Sequence, residues 1–118
     1  MRNFRNLQVW AEAMEIVKDV YHITEKLPKD EKFGLTSQMR RAAISIPANI
    51  AEGSSRRTSV DFARFLDIAL GSSFELETYI ELIEKVHKSQ LMDLPSYLTR
   101  LHQVQKRMNA LRESVLKG

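Results

Sequence analysis

The residues best suited to chemistry are cations at helical spacing near the end of the chain. Arg100, Gln103, Arg107, Ser114 and Lys117 fall along one line of a helix, with Lys106 and Arg112 flanking it and Glu113 the one acid among them. Guanidinium and ammonium groups in such a row suit phosphate oxygens, with an affinity that falls steeply as salt rises. Arg56 and Arg57 add an adjacent pair in a loop. Arg56, Arg57, Arg100, Lys106, Arg107 and Arg112 are therefore the candidate nucleic-acid contacts. No base-reading motif accompanies them, so the expected contact is with the phosphate backbone. Charge reversal at Arg100 and Arg107 is expected to weaken RNA binding without unfolding the chain. A solvated basic helix face is the competing reading, because such faces are common.

A second constellation occupies residues 34–57. Gln38, Arg41, Ser45, Asn49, Glu52 and Arg56 recur at steps of three and four beside an apolar seam of Leu35, Met39, Ala42, Ile46, Ile50 and Gly53. The polar seam either faces water or packs between helices or subunits, where each group must find a partner. Pro47 lies between the two seams. It removes a backbone donor and clashes with the carbonyl of Ala43, a cost of about 3 kcal/mol inside a helix, which predicts a kink or a local 3₁₀ turn held by tertiary contacts. Further on, Ala69, Gly71, Ser72 and Ser73 form a small-residue patch, expected to bring the middle of the second helix close. Glu75 or Glu77 is then expected to meet Arg40 or Arg41 across that contact, with Asn49 nearby. Two solvated glutamates are the alternative.

Other chemistry lacks its residues. The absence of cysteine excludes a disulfide framework and a thiolate metal site. The four glycines are scattered, and none opens a helix with phosphate-loop spacing. His22, His87 and His102 fall at outward positions of different helices. Glu84 and His87 have the Glu-x-x-His spacing of di-iron helical proteins, but without the second copy such a site needs. No serine has a nucleophile-elbow context. The chain reads as non-catalytic, with no cofactor and no metal.

Four helices are expected to position these residues, over about 7–26, 35–54, 58–88 and 94–116, within one domain spanning residues 1–118. Leu27-Pro28 ends the first helix and Gly34 opens the second. Thr58 and Asp61 have the spacing of a capping box, and Asp93 with Pro95 marks the start of the last helix. The first helix carries two apolar stripes side by side: Leu7, Trp10, Met14, Val17, Tyr21 and Val9, Ala13, Ile16, Val20, Ile23. One stripe suffices for a helix packed within its own domain. The second is expected either to border the core or to meet another subunit. Net charge is +3 and unevenly placed: residues 58–92 are net acidic and residues 93–118 net basic. That segregation suits helix-to-helix pairing as well as a nucleic-acid surface. No stretch has the length and apolarity of a signal peptide or membrane span, so a cytoplasmic chain with Met1 as its native start is expected.

The runs RRAAISIPANIAEG at residues 40–53 and ALGSSFELE at residues 69–77, with Phe4-Arg5-Asn6-Leu7 and Trp10 ahead of them, resemble a family signature. It is that of the four-helix-bundle proteins encoded in intervening sequences of bacterial large-subunit rRNA genes. The accessory protein of diversity-generating retroelements is a relative. The resemblance extends over nearly the whole chain. It implies a homopentameric barrel, and partners that include RNA or DNA and a protein such as a reverse transcriptase, bound through a basic surface. It also implies mainly architectural roles for the matching residues, Arg40, Arg41, Ser45, Pro47, Asn49, Glu52 and Gly53 in the first run and Gly71, Ser72 and Glu75 in the second. The chain is thus expected to be an all-α, antiparallel up-down-up-down four-helix bundle. As a homopentamer it would bind RNA or structured nucleic acid without catalysis. The alternative is an oligomeric scaffold that binds a protein partner and needs no nucleic acid.

Overall fold

The protein, described for residues 2–87 and 93–118 in a computed structural model, is built from four long helices. These are α1 (Gln8–Glu25), α2 (Leu35–Ser54), α3 (Ser59–His87) and α4 (Leu94–Lys117). Single 3₁₀ turns at Phe4–Asn6 and Lys29–Glu31 precede α1 and α2. Among the described residues there is no β-strand. The expected end of the third helix at Lys88, and Ser89–Met92 of the last connection, lie outside the described residues.

Local chemistry sets the helix ends. Thr58 Oγ1 accepts a hydrogen bond from the Asp61 amide at 3.1 Å, satisfying one of the free donors at the start of α3. Asp93 does the same for Ser96 at 3.2 Å, with Pro95 in the first turn of α4, where its missing N–H costs nothing. The start of α2 uses a borrowed group: Glu31 Oε1 accepts from the Leu35 amide at 3.4 Å. Pro47 is buried, and α2 stays helical across it.

Each helix packs on the next, and α4 returns to α1. The most extensive pairing is α2 on α3. Core residues come from all four helices: Val9, Ala13, Ile16, Val20 and Ile23 of α1, Met39, Ile46 and Ile50 of α2, Phe62, Leu66, Leu76 and Ile83 of α3, and Leu101, Val104 and Met108 of α4. Burial of this set is the main term holding the fold, at about 1.5–3 kcal/mol for each large apolar side chain.

The two stripes of α1 have distinct roles. The stripe of Val9, Ala13, Ile16, Val20 and Ile23 is the core stripe, each residue at most 5 % exposed. The stripe carrying the aromatic residues lies outside it: Trp10 and Val17 are partly buried, while Met14 and Tyr21 are exposed. Trp10 and Val17 pack at the edge of the core, and Met14 and Tyr21 leave apolar surface exposed on this side of α1.

Candidate nucleic-acid interface

Three of the four candidate cations on α4 already have partners. Arg100 Nε donates to Asp19 of α1 at 2.8 Å, and Arg107 Nε lies 3.2 Å from Glu12 of α1. Arg112 donates to Asp67 of α3 and also pairs with Glu113 at 3.2 Å. The hydrogen bond to Asp19 raises the Arg100 pKa above its usual value, and Asp67 does the same for Arg112. The line of cations divides accordingly. Arg100 and Arg107, seven residues apart, share the face toward α1, and Arg112 turns to α3. Lys106 is exposed and forms no ion pair among the described residues. Charge reversal at Arg100 or Arg107 would set a glutamate facing Asp19 or Glu12, so it would cost some stability as well as positive charge.

Arginines with less internal compensation gather elsewhere. Arg2, Ser55, Arg56 and Arg57 line a cleft of about 630 Å³ where α2 ends, ahead of α3. Arg2 and Arg57 are exposed and form no ion pair among the described residues. Arg56 lies 3.8 Å from Glu52 on the preceding turn, an ion-pair separation beyond hydrogen-bonding range. The guanidinium of Arg2 stands over the Phe62 ring, 4.8 Å from its centroid, and that of Arg56 over the Phe65 ring at 4.6 Å. Phe62 and Phe65 are one turn apart on α3, so the two stacks are neighbours.

Gly53 makes this arrangement possible. A Cβ at Gly53 would fall 2.7 Å from the Cβ of Phe65, 3.0 Å from Cδ1 of Phe62 and 3.3 Å from the Phe62 carbonyl oxygen. The end of α2 thus rests directly on the two residues that carry the stacked arginines. Its terminal carbonyls are satisfied locally: Ser54 Oγ donates to Ala51 at 2.7 Å, Ser55 Oγ to Glu52 at 2.6 Å and the Arg56 amide to Gly53 at 3.0 Å.

A family model described as 23S rRNA-intervening sequence protein matches residues 5–110. The chain belongs to that family. A solved structure from Bacteroides thetaiotaomicron VPI-5482, described as a protein of unknown function from the S23 ribosomal protein family, has a similar fold. It superposes with a TM-score of 0.80 at 24 % identity, over 89 % of this chain and 95 % of that one. A comparison with curated proteins gave no match.

In this member of the 23S rRNA-intervening sequence family, most signature residues act within the chain. Arg40 Nε donates to Thr24 Oγ1 at 2.9 Å and its guanidinium stacks on Tyr21 at 4.3 Å, joining α2 to α1. Ser45 and Ser72 share a hydrogen bond of 2.8 Å between their hydroxyls, joining α2 to α3. Asn49 Nδ2 donates to both the carbonyl and the hydroxyl of Ser45, at 2.8 and 2.9 Å. The centre of the polar seam is therefore intramolecular, and Ser72 of the small-residue patch does meet the middle of α2. Gly71 does not: it is exposed, and beyond its own helix backbone nothing lies within 4 Å of the position a Cβ would take. Arg41 is also exposed.

Neither glutamate of the second run reaches Arg40 or Arg41. Glu75 accepts from the Tyr79 hydroxyl on its own helix at 2.9 Å, which raises the Tyr79 pKa. Glu77 accepts from Gln105 at 2.9 Å and pairs with His102 at 3.1 Å, both on α4. Those bonds, Gln105 foremost, lower the Glu77 pKa. The expected cross-pair fails because helical phase turns Glu77 toward α4, and Glu75 is engaged by Tyr79 on its own helix. His87 pairs with Glu31 at 2.6 Å, closing α3 onto the turn before α2. Among the described residues no group of three or more His, Cys, Asp or Glu could hold a metal ion. No described helix is long and apolar enough to cross a membrane.

Arg2 is the one site residue that sequence patterning does not single out. It precedes the first helix and belongs to no periodic stripe. The 3₁₀ turn at Phe4–Asn6, packed on α1 and α2, brings that segment back to the cleft. Phe4 stacks edge-on against Trp10 at 5.1 Å and anchors the turn.

Proposed function

We propose that this protein is a non-catalytic accessory factor that binds nucleic acid, structured RNA in preference, and works as a homo-oligomer. The carrying observation is the cleft of Arg2, Arg56 and Arg57, where the one carboxylate paired among the described residues is Glu52, 3.8 Å from Arg56. Phosphate contacts of this kind give affinity without reading sequence. The antiparallel up-down-up-down bundle is supported by pairings that run in opposite senses. Arg100 and Arg107 of α4 meet Asp19 and Glu12 of α1 in reverse order, and Gln105 and Arg112 meet Glu77 and Asp67 of α3 likewise. Self-association is supported by the outer stripe of α1 together with exposed Ile44 of α2. The pentamer rests on the family resemblance. Repetition around a ring would let modest basic clefts act with avidity.

A protein-binding scaffold is the second reading, favoured by Phe33 and Phe74, large apolar side chains left 87 % and 53 % exposed. Light scattering with and without a structured rRNA fragment, at low and moderate salt, separates the two. The nucleic-acid reading expects a pentamer mass that rises with RNA and loses the rise in salt. A mass indifferent to RNA at low salt would sink it and leave the scaffold. A monomeric mass would remove the oligomer from both.

A further inference from the structure

We propose that the Arg2–Arg56–Arg57 cleft is a built phosphate subsite, in which the three guanidiniums converge on one phosphate group. This rests on the nucleic-acid reading for the source of the phosphate, and on the cleft alone for its chemistry. A cavity near 630 Å³ has the size of a small-ligand site, about 300–1,000 Å³, so a nucleotide unit fits its space.

The stacking supplies preorganisation. An arginine on a surface ordinarily samples many rotamers and loses that freedom when it binds. Here the guanidiniums of Arg2 and Arg56 lie over the Phe62 and Phe65 rings at cation–π distance, 4.8 and 4.6 Å, which restricts their rotamers. A guanidinium held by its face keeps its N–H edge available, and that edge matches two phosphate oxygens at once. Gly53 places α2 against the Phe62 ring and the Phe65 Cβ, so the platform under the two arginines is part of the helix packing.

The helix end opposes an anion less than a bare one would. The carboxyl end of a helix normally presents free carbonyls and repels one. At the end of α2 the hydroxyls of Ser54 and Ser55 and the amide of Arg56 bond those carbonyls. Glu52 is the charged group that opposes binding, and at 3.8 Å from Arg56 it is a loose competitor that a phosphate can displace. Its removal should therefore tighten the subsite.

The test uses the full chain and two probes, inorganic phosphate and a labelled single-stranded RNA oligonucleotide. Inorganic phosphate, at constant ionic strength, should shift the side-chain Nε–Hε resonances of Arg2, Arg56 and Arg57. Arg57→Gln should lower oligonucleotide affinity about tenfold and reduce the slope of log K against log salt by about 0.7, one phosphate contact on a single strand. Lys18→Gln, which removes an exposed cation of α1 outside the cleft, should change neither the resonances nor the oligonucleotide affinity. Glu52→Gln should strengthen phosphate binding several-fold, which a merely structural glutamate would not do. Cleft resonances that shift, with oligonucleotide binding lost in Arg57→Gln, support the subsite with nucleic acid as its source. Resonances that shift in a protein that binds no oligonucleotide support a free-phosphate site and end the nucleic-acid reading. Resonances that stay still, with oligonucleotide binding intact in Arg57→Gln, overturn the subsite and leave nucleic acid bound elsewhere.

Discussion

Gly53→Ala is the sharpest test of the packing that underlies the cleft. The new methyl group would lie 2.7 Å from the Phe65 Cβ and 3.0 Å from the Phe62 ring. The first neighbour is fixed to the backbone of α3, so no rotamer change removes the clash. Reaching 3.4 Å, the near edge of ordinary contact, requires α2 and α3 to part locally by about 0.7 Å. Overpacking of this kind costs about 1–3 kcal/mol, and alanine returns at most about 1 kcal/mol of helix propensity at a position one residue from the helix end. The net expectation is a loss of about 1–2 kcal/mol, read as a lower urea midpoint by circular dichroism at fixed protein concentration. Gly71→Ala is the matched control. It adds the same methyl group to an exposed helical site with open space around it, and should stabilise by up to about 1 kcal/mol. The same substitution thus has opposite signs at two positions 18 residues apart. A Gly53→Ala protein as stable as its parent would refute the claim that α2 rests on Phe62 and Phe65.

Two further outcomes follow from the ion pairs. Arg107→Ala removes the partner of Glu12, whose second oxygen, Oε1, is already buried without a hydrogen bond. A loss of about 1 kcal/mol is expected in thermal or urea unfolding, more than the few tenths typical of an exposed pair, and Glu12→Gln in the same background should recover part of it. The pH dependence is set by Glu31 and Glu77. Glu31 is lowered from 4.5 first by His87 and then by the Leu35 amide, and Glu77 is lowered from 4.5 by Gln105 and His102. A carboxyl whose folded pKa is depressed binds its proton more readily in the unfolded chain, so its contribution is present above 4.5 and is lost as pH falls through the lowered values. Urea midpoints should therefore decline below pH 4.5, and Glu31→Gln should flatten part of that decline. A decline unchanged in Glu31→Gln would remove the Glu31–His87 bond from the account.

The helices were legible because their ends carry local chemistry. Pro28, Gly34, the Thr58–Asp61 cap and the Asp93–Pro95 start each act through their own backbone, and no distant contact is needed to read them. What required distant contacts was misread or left open. On α1 the stripe of Val9, Ala13, Ile16, Val20 and Ile23 reads as the additional one, yet it is the stripe the fold buries. Small and branched residues let four helices converge, whereas Trp10 and Tyr21 are accommodated at the edge, where Tyr21 supports Arg40. The basic line on α4 was visible, but its partners were not. Asp19 is 81 residues from Arg100 and Asp67 is 45 from Arg112. The opposed charges of residues 58–92 and 93–118 were the available clue, compatible with pairing and with binding alike. The fold uses Arg112 for pairing across those segments and draws Arg100 and Arg107 to α1. A cation's meaning thus depends on whether an acid meets it, which periodicity along one helix does not reveal. By that criterion Lys106 alone remains a candidate on α4, and the larger set lies at the turn after Gly53. There Arg57 lacks an acid among the described residues, Arg56 has a loose one, and Arg2, visible to no sequence pattern, completes the set.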